Sequence, residues 1–199
     1  MKLFLNKASP YARLVMVVIH EKQLIDRVEL NWTDPWASTP ALLAVNPVAK
    51  VPALMTDGGE SIVDSACICA YLDDVGSGRR LHAAAGDVGS LSKYGLGRGL
   101  IDAAFGVTIE RRFAAAQSEP VLAKRWLDAV QRTIAELEKT PALRRATDQP
   151  DIGDLALAVA LGYVGFRLQE VDWQRKAPAT ATWFSRIDAR PSMRLTRPE

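Results

Sequence analysis

Near residue 76 the sequence stops making strands. Up to that point apolar residues switch between the two-residue period of a strand and the 3.6-residue period of a helix, and beyond it only the helical period persists. Residues 2–6 read as a short strand. Residues 10–22 place Leu14, Val17 and Val18 on one helical face, and residues 27–31 return to alternation with Val28 and Leu30 inward. That is a βαβ unit. After a Trp- and Pro-rich loop (32–40) and a short apolar turn (41–45), strands are predicted at 53–56 and 61–63, with Asp57, Gly58 and Gly59 as the hairpin between them. A helix is predicted from Ser65 to about Val75. The order βαβ-ββα describes an α/β sandwich.

Gly76, Ser77 and Gly78, followed by the small residues of 83–89, form a linker that leads into an all-helical region. Leu127, Val130, Ile134 and Leu137 recur at offsets of three, four and three, the stripe of a helix packed on one side. Asp151 and Asp154 stand at N-cap and third-position spacing before Leu155, Leu157, Val159 and Leu161. The helix they open is apolar nearly all round and belongs at the centre of its domain. The division expected is 1–77 for the α/β domain and 88–199 for the helical one.

Of 199 residues, 25 are Lys or Arg and 23 are Asp or Glu, a formal charge of +2. So small an excess points to neither nucleic acid nor an anionic membrane as a partner. The apolar stretch 155–166 has 12 residues, short of the roughly 20 a bilayer requires. No secretory signal is evident, since His20, Glu21 and Lys22 follow the first apolar run. Cys67 and Cys69, two apart, match no zinc pattern and lie about 200° apart on a helix, so they point to different faces and are expected to be small buried apolar residues rather than redox partners. The expected setting is cytoplasmic, without a metal. His20 and His82 have no evident companions and take no catalytic role.

Three short segments of the first domain carry candidate chemistry. In Ser9-Pro10-Tyr11-Ala12-Arg13, Ser at N-cap and Pro at N1 begin a helix, and a hydroxyl beside that positive end can donate a hydrogen bond to a thiolate. In Asn46-Pro47-Val48-Ala49-Lys50-Val51-Pro52-Ala53-Leu54 a proline stands directly before a strand. A cis Val51–Pro52 bond would leave the Val51 amide and carbonyl free to pair with a peptide-like ligand, whereas a trans bond would mark only a strand start. In Asp64-Ser65-Ala66 a strand passes straight into a helix with Ser65 in an N-cap role, and its hydroxyl with the following amides makes a carboxylate site. Each segment alone also has a plain reading, as a helix cap or a strand start.

Taken together, in this order, the segments resemble the glutathione S-transferase family over essentially the whole chain. The resemblance rests on Ser9 to Arg13, Asn46 to Leu54, Asp64-Ser65, the Asp151-Ile152-Gly153-Asp154 cap and the terminal run from Arg190 to Pro198. It implies a thioredoxin-like α/β N-terminal domain of βαβ-ββα order, a cis Val51–Pro52 bond and an all-α C-terminal helical bundle. Asp64 stands where the family more often has Glu, and Asp151 where it has Ser or Thr. Ser9 replaces the Cys of the oxidoreductase-like branches, so a mixed disulfide with glutathione cannot form there.

The function implied is a glutathione transferase, with glutathione as co-substrate, that adds its thiolate to small hydrophobic electrophiles. Ser9 would stabilise the thiolate. Val51 and Pro52 would hold the cysteinyl part, Asp64 and Ser65 the γ-glutamyl end, and Lys50 the glycyl carboxylate. Tyr11, Phe105, Arg112 and Phe113, with Trp173, would border the second substrate. Asp102 lies on the helix where family members meet a partner subunit, and a homodimer is implied. Two alternatives share the fold: a non-catalytic glutathione-binding or protein-interaction module, and a glutathione-dependent isomerase.

Overall fold

The computed structural model describes residues 1–84, 86–114, 120–144 and 148–198. They fall into two units, one formed by Met1–His82 together with Pro191–Glu199 and the other by Ala83–Arg190.

The first unit is built on β1 (Lys2–Leu5), β2 (Glu29–Trp32), β3 (Ala53–Met55) and β4 (Ser61–Val63), in the order β2-β1-β3-β4. β1 and β2 run parallel across a helical crossover, and β3 and β4 are antiparallel additions. Helices α1 (Pro10–Glu21), α2 (Pro40–Val45) and α3 (Ser65–Val75) complete the αβ layers. Side-chain alternation divides the core between the two sheet faces. Phe4 and Ala53 pack with Leu42 and Val45 of α2. Leu3, Leu5 and Leu54, fully buried, take the opposite face, and α1 packs against α3.

Two elements differ from the sequence reading. The strand expected at 27–31 begins at Glu29, because Ile25–Arg27 forms a 3-10 turn first. The expected turn at 41–45 is a capped helix: the Thr39 hydroxyl accepts from the Leu42 N–H, and Pro40 sits in its first turn.

The second unit holds α4 (Val88–Phe113), α5 (Val121–Lys139), α6 (Ile152–Arg167), α7 (Trp173–Lys176) and α8 (Pro178–Asp188). Every residue of α6 from Ile152 to Leu161 is buried, so it forms the core of the unit with α4 against it. Its start is the expected capping box: Asp151 accepts from the Asp154 N–H at 2.9 Å and Asp154 from the Asp151 N–H at 3.1 Å. Lys93 of α4 adds ion pairs at 2.9 and 2.7 Å to the two carboxylates.

The boundaries between units depart from 1–77 and 88–199. Residues 78–82 stay with the first unit because Asp73, buried at the end of α3, accepts from the Leu81 and His82 N–H groups at 2.9 and 2.8 Å. The tail returns to the first unit as α9 (Pro191–Leu195), which packs on α1. Met193 there is fully buried, its carbonyl accepts from Arg13, and Ser192 bonds Glu21. Among the described residues no single helix is long and apolar enough to cross a membrane.

Candidate functional site

Strand register decides where the three segments meet. Phe4 pairs with Ala53 and Ala53 with Val63, so the C-terminal end of β1, the N-terminal end of β3 and the C-terminal end of β4 share one end of the sheet. The chain leaves β1 there for Ser9, enters β3 there from Val51–Pro52, and leaves β4 there for Asp64–Ser65. Both α1 and α3 begin at that end, so the positive ends of two helices adjoin it.

Ser9 is the N-cap of α1. Its Oγ accepts from the Ala12 N–H at 3.2 Å, which uses a lone pair and leaves the hydroxyl hydrogen to donate. The loop before it is shaped by Asn6, whose Oδ1 accepts from Ala8 N–H at 3.0 Å while Nδ2 donates to the Thr33 carbonyl at 3.2 Å. The Asn6 carbonyl accepts from the Ser9 N–H.

The Val51–Pro52 peptide bond is cis. Among the described residues neither the Val51 N–H nor its carbonyl is hydrogen-bonded, so both stand available at the head of β3. Pro52 is buried and Lys50 is exposed, its ammonium without an ion-pair partner among the described residues.

Asp64, not Ser65, caps α3: its Oδ1 accepts from the Ala66 N–H at 2.7 Å. The expected N-cap role for Ser65 is thus corrected, because one residue earlier the backbone has already turned. Asp64 lies at φ 71° and ψ 127°, a combination that non-glycine residues seldom adopt and that clusters where a site holds it. Ser65, 4% exposed, is the first helical residue. Its N–H and that of Cys67 take no partner among the described residues, as the first amides of a helix do. This helix start therefore still offers donors to an anion.

The residues assigned to the second substrate fall in both units. Tyr11, half-buried, follows Pro10 in the first turn of α1. Phe105 and Arg112, seven residues apart, share a face of α4, the former half-buried and the latter exposed, with the Arg112 guanidinium 5.7 Å from the ring of exposed Phe113. Trp173 is different from its expectation. At 1% exposure it is a core residue of the second unit, edge-on to Phe184 at 5.2 Å. Asp102 is exposed on α4.

Other expectations change as well. Cys69 is buried but Cys67 is exposed, so only one of the pair is a core residue. His82 has a companion: its Nδ1 lies 3.0 Å from Asp73, which Lys22 also meets at 3.0 Å. Burial alone would push the Asp73 carboxyl up; the His82 and Leu81 N–H groups, then Lys22, overcome this and hold it down to about 2. A carboxylate eight and nine residues from the amides it receives has no signature in local periodicity. Among the described residues no group of three His, Cys, Asp or Glu side chains is arranged for a metal ion.

Comparisons with known proteins agree along the chain. Residues 3–80 match the family model described as glutathione S-transferase, N-terminal domain, and residues 115–186 the one described as glutathione S-transferase, C-terminal domain. An uncharacterised GST-like protein of Escherichia coli K12, YibF, is 27% identical over 204 residues, which span 100% of this chain and 98% of that one. A crystal structure of a glutathione transferase family member from Pseudomonas fluorescens Pf-5, with bound glutathione, is 35% identical with a TM-score of 0.91, covering 100% of this chain and 98% of that one. A second crystal structure from that organism, with bound S-(propanoic acid)-glutathione, is 34% identical with a TM-score of 0.87 and covers 100% of both chains.

Proposed function

Because this chain belongs to the glutathione S-transferase family, we propose that it binds glutathione at the common end of β1, β3 and β4 and transfers the thiolate to small hydrophobic electrophiles. The observation that carries this reading is the register itself, which gathers a hydroxyl donor, an unpaired backbone edge and an open helix start on three adjacent strands. A tripeptide has a thiol, a peptide edge and terminal carboxylates to match them. Glutathione and a glutathione conjugate bound in the similar Pseudomonas structures support the choice of tripeptide.

The chemistry follows from charge. A thiol with a pKa of about 8.5 is only a few per cent thiolate at neutral pH, and the thiolate is the nucleophile. The Ser9 hydroxyl, already oriented by its cap bond, donates to the sulfur anion, and the α1 N-terminus adds its positive end. Val51 N–H and carbonyl pair with the cysteinyl backbone. The Asp64–Ser65 turn receives the γ-glutamyl end and Lys50 the glycyl carboxylate. Tyr11, in the first turn of α1, borders the electrophile, whose carbon gains the sulfur as a halide leaves or as an enone takes up a proton.

Retention on immobilised glutathione, followed by thiol consumption with aryl halides, epoxides and enones, tests the reading. Retention with consumption is expected. Retention without consumption assigns a binding module, turnover of a substrate without net loss of thiol assigns an isomerase, and no retention overturns all three. Ser9→Ala is expected to retain glutathione, to lose roughly 10- to 100-fold in turnover and to move the midpoint of the rate–pH profile up toward about 8.5. Turnover unchanged in that variant removes Ser9 from the mechanism. Sedimentation equilibrium checks the homodimer that the family implies.

A further inference from the structure

Asn46 follows the last turn of α2 and is only 3% exposed, and among the described residues its side-chain amide bonds main-chain groups alone. Its amide is directed at the loop ahead. Nδ2 donates to the Lys50 carbonyl at 2.8 Å, and Oδ1 accepts from the Val48 N–H at 3.1 Å. Its main-chain carbonyl accepts from the Ala49 N–H at 2.9 Å, closing a turn that holds Ala49 in the left-handed region at φ 56°.

The bond to Lys50 reaches furthest. The Lys50 carbonyl and the Val51 N–H are the two ends of one planar trans peptide unit and point in opposite directions. Fixing the oxygen therefore fixes the direction of the hydrogen. That N–H has no acceptor among the described residues and stands at the head of β3.

The geometry points to Asn46 as a positioning residue, whose side-chain amide aims the Val51 N–H at the main chain of bound glutathione. This rests on the reading of the site given above and adds to it a division of labour. Asn46 acts on glutathione affinity through Val51, whereas Ser9, on another strand's loop, acts on the sulfur. A buried asparagine with only a packing role would affect folding and leave the affinity of the folded protein alone.

Two variants separate these roles. Asn46→Asp keeps an oxygen for the Val48 N–H but sets an acceptor against the Lys50 carbonyl. Asn46→Ser keeps an acceptor for Val48 on a side chain too short to reach Lys50. In both, KM and Kd for glutathione are expected to rise about 3- to 10-fold, with kcat at saturating glutathione and KM for an aryl halide within about twofold of the unsubstituted protein. Unchanged glutathione KM in a folded variant overturns the assignment, as does a fall in kcat alone. If neither variant folds, the Val51 amide resonance of the unsubstituted protein decides: it is expected to shift on addition of glutathione, and a resonance that does not move overturns the proposal. An unsubstituted protein that fails to bind glutathione overturns the site reading together with this role, while equal binding by all three proteins overturns only the role of Asn46.

Discussion

Asp73 is a fully buried carboxylate that receives two main-chain amides, Lys22 and His82, and the response of the protein to acid depends on it. Its folded-state pKa lies at about 2, below the ordinary 3.8, so the native state favours the ionised form. Stability from this group is whole above pH about 4 and is lost as pH falls through about 2, to the extent of about 2 kcal/mol. In Asp73→Asn the ammonium of Lys22, 2% exposed, loses its buried counter-ion, and the expected cost is about 3 kcal/mol at neutral pH. Urea unfolding of both proteins from pH 6 down to pH 2 checks this: the gap between them should narrow below about pH 4, and a constant gap refutes the linkage. At the same scale Ala49, held at φ 56°, gives a simpler expectation. Ala49→Gly should raise stability by a few tenths of a kcal/mol to about 1 kcal/mol, since glycine adopts that region without steric cost. Ser9 was legible as a cap because its motif is local. The cap at Asp64 rather than Ser65 was not, because the choice depends on where the backbone turns and both residue types can cap.

Helix α6 shows what element-scale patterning can and cannot reveal. Its capping box and continuous apolar run were readable from spacing, and both are present. The cap on α8 was not: Glu138 of α5 accepts from the Ala179 and Thr180 N–H groups at 3.0 and 2.8 Å, some forty residues away along the chain. No local window contains both partners. The α4–α6 contact is similarly hidden in glycines. A methyl at Gly97 would lie 2.7 Å from the Leu157 nitrogen, and one at Gly153 would lie 2.7 Å from Lys93 Cβ and 2.9 Å from the Tyr94 nitrogen. Gly95 and Gly99, on the same helix, face open space. Gly97→Ala is therefore expected to destabilise by about 1–3 kcal/mol despite alanine's better helix propensity. Gly95→Ala and Gly99→Ala should instead stabilise by up to about 1 kcal/mol. Thermal and urea unfolding of the three variants decide the matter, and the same sign for all of them would deny the close approach.

Across the whole molecule, the chain begins and ends in one unit and spends its middle in the other. The α/β order and the helical remainder were plain from hydrophobic period; the return of the tail was not, because 191–195 reads as one more short helix until its contacts with α1 are known. Those contacts are substantial, with Met193 fully buried and its carbonyl accepting from Arg13. Removal of residues 191–199 is expected to lower hydrogen-exchange protection of the α1 amides (Pro10–Glu21) at least tenfold while leaving those of α6 unchanged. Equal loss in both helices would refute a local role for the tail.

The second unit is thus an insertion within the first, and translation meets this arrangement in order. Roughly a hundred residues, on the order of 5 to 20 s of synthesis, separate His82 from the helix that covers α1. On the ribosome the sheet must wait, with one flank of its first helix bare, until an entire helical unit has emerged ahead of the missing piece.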